Sequence, residues 1–195
     1  MMKNIFISNL KAQALEQKIP IIQDEGLDFL LNLIKENNIV NILEIGSAIG
    51  YSAIQMAQLN TKVITIERDY FMYNELLKNI EKSGLTDQIF PILGDALEVE
   101  VEGKFDLIFI DAAKAQYMKF FEKFKQNLAP SGMIVCDNID FHHLKQDEVS
   151  RNTRQLLRKL EKFIKFLENN DEFETKIYHL GDGLSVSKRM IDWNI

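Results

Sequence analysis

The stretch FDLIFIDAAKAQY, residues 105–117, ends an apolar run in a carboxylate, Asp111, and sets an ammonium, Lys114, three residues later. A second apolar run, GMIVCD, ends at Asp137 and is followed by Asn138. Two carboxylates and one carboxamide oxygen make a hard oxygen donor set with too few ligands for a closed cage. Such a set suits Mg2+ (or Mn2+), which keeps water or substrate oxygens in its octahedron. Lys114 lies one turn past Asp111, so its amine can reach the same place and take a proton there. The plainer reading stays open beside it: either aspartate can cap a following helix, and Lys114 can pair with Asp111 without chemistry.

These residues need a frame that gathers strand ends. VNILEI (40–45), KVITIE (62–67), IFPIL (89–93), FDLIFID (105–111) and GMIVCD (132–137) are nearly continuous apolar runs, the pattern of strands covered on both faces. Helical segments at 51–59, 70–83, 115–128 and about 147–168 separate or follow them. Strands alternating with helices imply parallel βαβ units and an open α/β sheet. The tail FETKIYHLGDGLSVSKR reads as two strands joined by a GDG turn, an antiparallel hairpin at the sheet edge. Two further helices near 3–17 and 23–37, split by KIPII, fall outside the alternation and are placed as a helical cap, residues 1–37, over one mouth of the sheet. No linker or repeat divides the chain, so residues 1–195 are expected to form one domain.

Open α/β sheets bind ligands beyond the carboxyl ends of their strands. The first such end is EIGSAIGYS, where Gly46 and Gly50 permit a tight turn. Ala48 stands where a dinucleotide fingerprint has its middle glycine, which argues against a pyrophosphate. Glu67 follows Gly46 by 21 residues and ends the second strand, well placed for ribose hydroxyls. A nucleoside without a diphosphate, such as S-adenosylmethionine, fits that pair; a purely structural turn is the alternative. Asp95, in GDA, either accepts from an adenine amino group beside Ala96 or caps a helix.

The totals exclude several classes. With 195 residues, 46% hydrophobic, the chain can bury a sizeable core, and no apolar run is long enough for a membrane span. The start lacks the apolar stretch of a signal peptide, and Cys136 is the only cysteine, so a cytoplasmic home is expected, with Cys136 as a buried inert thiol. A net charge of −6 argues mildly against a nucleic-acid binder.

Taken together, EIGSAIGYSAIQMA, TIERD, GDALE, FIDAAK…Y, CDN and GDGLSVSKR resemble the class I metal-dependent O-methyltransferases of the catechol and caffeoyl-CoA type, from about residue 15 to residue 189. The resemblance implies a Rossmann-like seven-stranded sheet, mostly parallel, with an antiparallel C-terminal hairpin. It also implies S-adenosylmethionine contacts from Ile21 in IPII and from Glu44, Gly46, Ser47, Ser52, Glu67, Asp95, Ala96 and Asp111. Asp111, Asp137 and Asn138 match metal ligands, Lys114 matches the catalytic base, and a homodimer is usual. A non-catalytic S-adenosylmethionine-binding protein is poorly supported because ligands and base are all present.

Within the family, short bacterial members resemble the enzyme that methylates 5-hydroxyuridine at the tRNA wobble position (U34). One feature favours that substrate over a small catechol. Arg151, Arg154, Arg158, Lys162 and Lys165 recur on one helical stripe, opposite Leu156, Leu157, Leu160, Phe163, Ile164 and Leu167. Such a stripe can track the phosphates of a tRNA anticodon stem-loop, or be an ordinary solvated face. With His142, His143 and Lys145 just upstream, the expectation is RNA contact through Arg151, Arg154, Arg158 and Lys162. Tyr117 and Phe141 are the candidates to stack on a substrate base.

Overall fold

A computed structural model describes residues 2–140 and 150–190. The elements run α1 (Met2–Glu16), α2 (Asp24–Glu36), β1 (Asn41–Ile45), α3 (Tyr51–Ala57), β2 (Lys62–Glu67), α4 (Tyr70–Ser83), β3 (Ile89–Leu93), β4 (Phe105–Ile110), α5 (Tyr117–Phe124), β5 (Leu128–Cys136), α6 (Arg151–Glu168), β6 (Phe173–Tyr178) and β7 (Leu184–Arg189). Short 3-10 turns, Lys114–Gln116 and Lys125–Asn127, bracket α5. The seven strands form one sheet in the order β3-β2-β1-β4-β5-β7-β6. All pairings are parallel except β5–β7 and β6–β7, so this is the Rossmann-like methyltransferase fold with its antiparallel hairpin. The order reverses between β1 and β4, which makes their carboxyl ends the crevice.

The apolar runs divide by alternation. Ile42, Leu107, Phe109, Met133 and Val135 face a core shared with α1, α2, α3 and α4. Leu43, Ile45, Ile108, Ile110 and Ile134 face the opposite core with α5 and α6. Burial of this kind stabilises by about 1.5–3 kcal/mol per side chain, and covering both faces requires helices on both sides. The N-terminal helices belong to this layering: Leu10, Leu27, Leu30 and Ile34 are core residues, and the connection Ile19–Ile22 reaches the crevice.

A staircase of backbone bonds fixes the strand ends. Gly46 N–H donates to Ile66 O (2.9 Å), Asp111 to Ile45 O (3.0 Å), Asp137 to Ile110 O (3.0 Å) and Gly94 to Glu67 O (2.9 Å). Each turn that carries a candidate functional residue is thus pinned to the strand beside it.

Candidate active site

A cavity of about 400 Å³ opens at this rim, lined by residues of the β1, β2, β3 and β4 ends and by Ile19, Pro20, Ile21 and Ile22. Gly46 has φ +92°, and a Cβ there would lie 2.2 Å from Asp111 O, so two strand-end turns touch backbone to backbone. Glu67 lines the cavity with its carboxylate preset: Oε2 accepts from Ala48 N–H (2.8 Å) and Oε1 from Asp69 N–H (2.7 Å). Ser47 also lines it, and its buried hydroxyl has no hydrogen-bond partner among the described residues. A buried polar group left so is costly, and a polar ligand atom would satisfy it.

Asp95 and Ala96 line the same cavity. Asp95 Oδ1 accepts from Leu97 N–H (2.8 Å) at the head of a turn, not of a helix. Ser52 lines the cavity and donates to Glu44 Oε1 (2.5 Å), while Thr65 donates to Glu44 Oε2 (2.6 Å). Glu44 itself is fully buried and is not among the lining residues. It braces the pocket from behind, and burial pushes its carboxyl up to about 7 against the pull of the two hydroxyls.

At the β4 and β5 ends the chemistry-bearing side chains converge. Asn138 Nδ2 donates to Asp137 Oδ2 (2.8 Å) and leans toward Asp111 Oδ1 (3.5 Å), so two carboxylates already point at one donor. Lys114 Nζ donates to Asn138 Oδ1 (2.9 Å) rather than pairing with Asp111. Burial, and next the charge of Asp137, push Asp111 up to about 8. Burial likewise raises Asp137 to about 6, with Asp182 adding to both. No group of three or more His, Cys, Asp or Glu side chains among the described residues could hold a metal ion. The donor set here is instead two carboxylates and an amide. Its chemistry fits a hard divalent cation, whose charge would offset the repulsion that raises both acids.

Sequence reasoning missed Arg68, Met72 and Gln116 on the cavity wall, and Asp182 from the β6–β7 turn. Asp182 accepts from Gln23 Nε2 (2.6 Å) and its carbonyl accepts from Asp140 N–H (2.9 Å), tying α2's entry to the Asn138 turn. Only its place in GDG hinted at this. Tyr117 is fully buried, with its hydroxyl on Asp137 O (2.9 Å), so it cannot stack on a substrate. Phe141, His142, His143 and Lys145 lie outside the described residues. Cys136 is buried as expected, and burial pushes its thiol up to about 12.

Residues 2–190 match the family model described as O-methyltransferase. The catechol O-methyltransferase of Niastella koreensis is 36% identical over 141 residues, 68% of this chain and 63% of that protein. The chain therefore spans less than two thirds of that relative. Tapetum-specific methyltransferase 1 of Arabidopsis thaliana is 32% identical over 90% of this chain and 79% of its own. Among solved structures, a Staphylococcus aureus protein named for caffeoyl-CoA O-methyltransferase superposes with a TM-score of 0.86 at 35% identity, over 94% of this chain and 92% of that one.

These likenesses overturn the tRNA expectation. Relatives of this chain include proteins named for catechol, caffeoyl-CoA and flavonoid, small phenolic compounds rather than a tRNA nucleoside. The basic stripe has a sufficient physical cause. Leu157, Leu160, Phe163 and Leu167 bury one face of α6, and Phe163 packs on Tyr117 behind the site. Arg151, Arg158 and Lys162 are on the outer face, exposed to solvent, and Arg154 is half-buried. They are the polar half of an amphipathic helix, and no RNA-binding role attaches to them.

Proposed function

The chain belongs to the O-methyltransferase family and is an S-adenosylmethionine-dependent O-methyltransferase; from that premise we propose that it methylates one of two adjacent oxygens of a small catechol-type phenol with the help of a divalent cation, Mg2+ or Mn2+. The observation that carries this reading is the convergence of Asp111, Asp137, Asn138 and Lys114 beside a cavity that also presents Ser47 and Glu67. Small phenols are what the relatives' names supply.

In this reading Glu67 holds the ribose hydroxyls, since backbone donors fix its carboxylate before any ligand arrives. Ser47 and Ser52 face the methionine portion of the cofactor, and Asp95 with Ala96 faces the adenine. Gly46 lets the β1 turn lie flat against Asp111, so cofactor and substrate halves of the site meet without a side chain between them. Ile21 closes the open side and excludes water. A cation held by Asp111, Asp137 and Asn138 would acidify the phenol and fix its orientation. Lys114 accepts the phenolic proton at Nζ, held toward the site by its bond to Asn138. Among the described residues no helix is long and apolar enough to cross a membrane. A buried reduced Cys136 is in keeping with a cytoplasmic setting.

The test is transfer of labelled methyl from S-adenosylmethionine to catechol, with a monophenol and a chelator as controls. Catechol should be methylated and the monophenol ignored, and chelation should stop turnover. Lys114→Ala should lower kcat by roughly 10²–10⁴-fold with cofactor affinity kept. Turnover that survives both chelation and Asp137→Ala would remove the cation from the reading.

A further inference from the structure

Asn138 is a non-glycine residue held at φ +59°, in the left-handed region. The peptide that joins it to Asp137 therefore decides where both side chains point. Backbone bonds hold the turn on either side: Asp137 N–H to Ile110 O, and Ile139 N–H to Gly183 O (3.1 Å). Of the two polar groups of the Asp137–Asn138 peptide, Asn138 N–H donates to Asp137 Oδ1 (2.7 Å) and Asp137 O accepts from the Tyr117 hydroxyl (2.9 Å).

One buried hydroxyl thus backs the turn that carries Asp137 and Asn138. Its ring is held edge-on by Phe163 of α6, with centroids 5.6 Å apart, and Tyr117 is fully buried. The 3-10 turn carrying Lys114 runs directly into α5 at Tyr117, so the base and the hydroxyl lie three residues apart on adjoining turns. We propose that Tyr117 is a positioning residue: its hydroxyl sets the Asp137–Asn138 peptide plane, and so sets affinity for the divalent cation. The inference rests on the cation-assisted reading given above. Hydrogen-bonded groups behind a ligand set hold it in geometry, and their loss typically weakens metal binding roughly 10–100-fold.

The experiment titrates Mn2+ into the purified protein, following free ion by electron paramagnetic resonance, with S-adenosylmethionine affinity measured in parallel by calorimetry. Four proteins are compared: wild type, Asp137→Ala, Tyr117→Phe and Thr175→Ala. The last removes a hydroxyl pair with Ser187 in the hairpin, away from the site, as a stability control. Tyr117→Phe keeps the ring in its aromatic packing. It should weaken Mn2+ roughly 10–100-fold, leave cofactor affinity unchanged and regain wild-type kcat at saturating Mn2+. Thr175→Ala should bind Mn2+ as wild type does. Failure of the wild type to bind Mn2+, or Asp137→Ala binding it as well, would sink the cation reading itself. Loss in Asp137→Ala with Tyr117→Phe unchanged would overturn the role of Tyr117 alone. Equal weakening in Thr175→Ala would reduce the effect to general loosening and overturn it too. If Tyr117→Phe does not fold, Tyr117→Met fills the space with a flexible apolar side chain that lacks the hydroxyl; unchanged Mn2+ affinity there would equally refute the proposal.

Discussion

Glu44→Gln should make this protein more stable at pH 8 while doing little at pH 4. Glu44 is fully buried, and burial raises its carboxyl from 4.5 to about 7. Below pH 4.5 the group is protonated in both folded and unfolded chains, and its full contribution is present. As pH rises toward 7 the unfolded chain releases the proton while the folded chain keeps it, so stability falls. Above 7 the loss is complete, about 3 kcal/mol at 1.36 kcal/mol per pH unit. Glutamine keeps a neutral acceptor for Ser52 and can donate to Thr65, at a cost of about 1 kcal/mol for imperfect geometry. The assay is urea unfolding followed by circular dichroism from pH 4 to 8, reading the variant minus the wild type so that most other titrations cancel. That difference should climb by about 3 kcal/mol across the range. A flat difference, or a wild type that gains on the variant as pH rises, would show that the two hydroxyls stabilise the ionised form more than burial opposes it.

Two further outcomes follow from particular contacts. Gly46→Ala puts a methyl group 2.2 Å from Asp111 O, a backbone atom, at φ +92°, and should lose about 3 kcal/mol or more. Gly50→Ala, at φ +88°, meets only the Leu76 Cδ1 end at 2.5 Å and should lose about 1–2 kcal/mol; equal urea midpoints for the two would refute the distinction. Because protons on Asp111 (about 8) and Asp137 (about 6) compete with a cation, Mn2+ affinity should rise steeply from pH 6 to 8. The slope from Asp111 alone is about tenfold per pH unit. Calorimetry at three pH values checks this, and a flat profile would mean that the two acids are not its ligands.

The sheet was legible because buried parallel strands leave unbroken apolar runs, and the rim was legible because acids and glycines interrupt those runs at their ends. Where local signals conflicted, the reading slipped. The apolar run GMIVCD starts at Gly132, so the sequence places the start of β5 there. The strand begins at Leu128, opposite Phe105, and absorbs the mismatch in a register shift before Leu107. The roles of Glu44, Tyr117 and Asp182 depend on partners far away in sequence, which no local pattern displays. The α6 stripe failed for the opposite reason. Its periodicity was real and described burial, whereas a substrate depends on what faces the crevice.

The β6–β7 turn also dictates when the site comes into being during synthesis. Gln23 meets Asp182 across 159 positions, and the Asn138 turn is backed by Asp182 and Gly183. At a ribosomal pace of about 5–20 residues per second, roughly 2–9 s separate the emergence of Asn138 from that of Gly183. For that interval the strand ends carry their acids and lysine without the hairpin that braces them. The nascent chain is therefore a scaffold before it is a catalyst, and the hairpin is the part that turns one into the other.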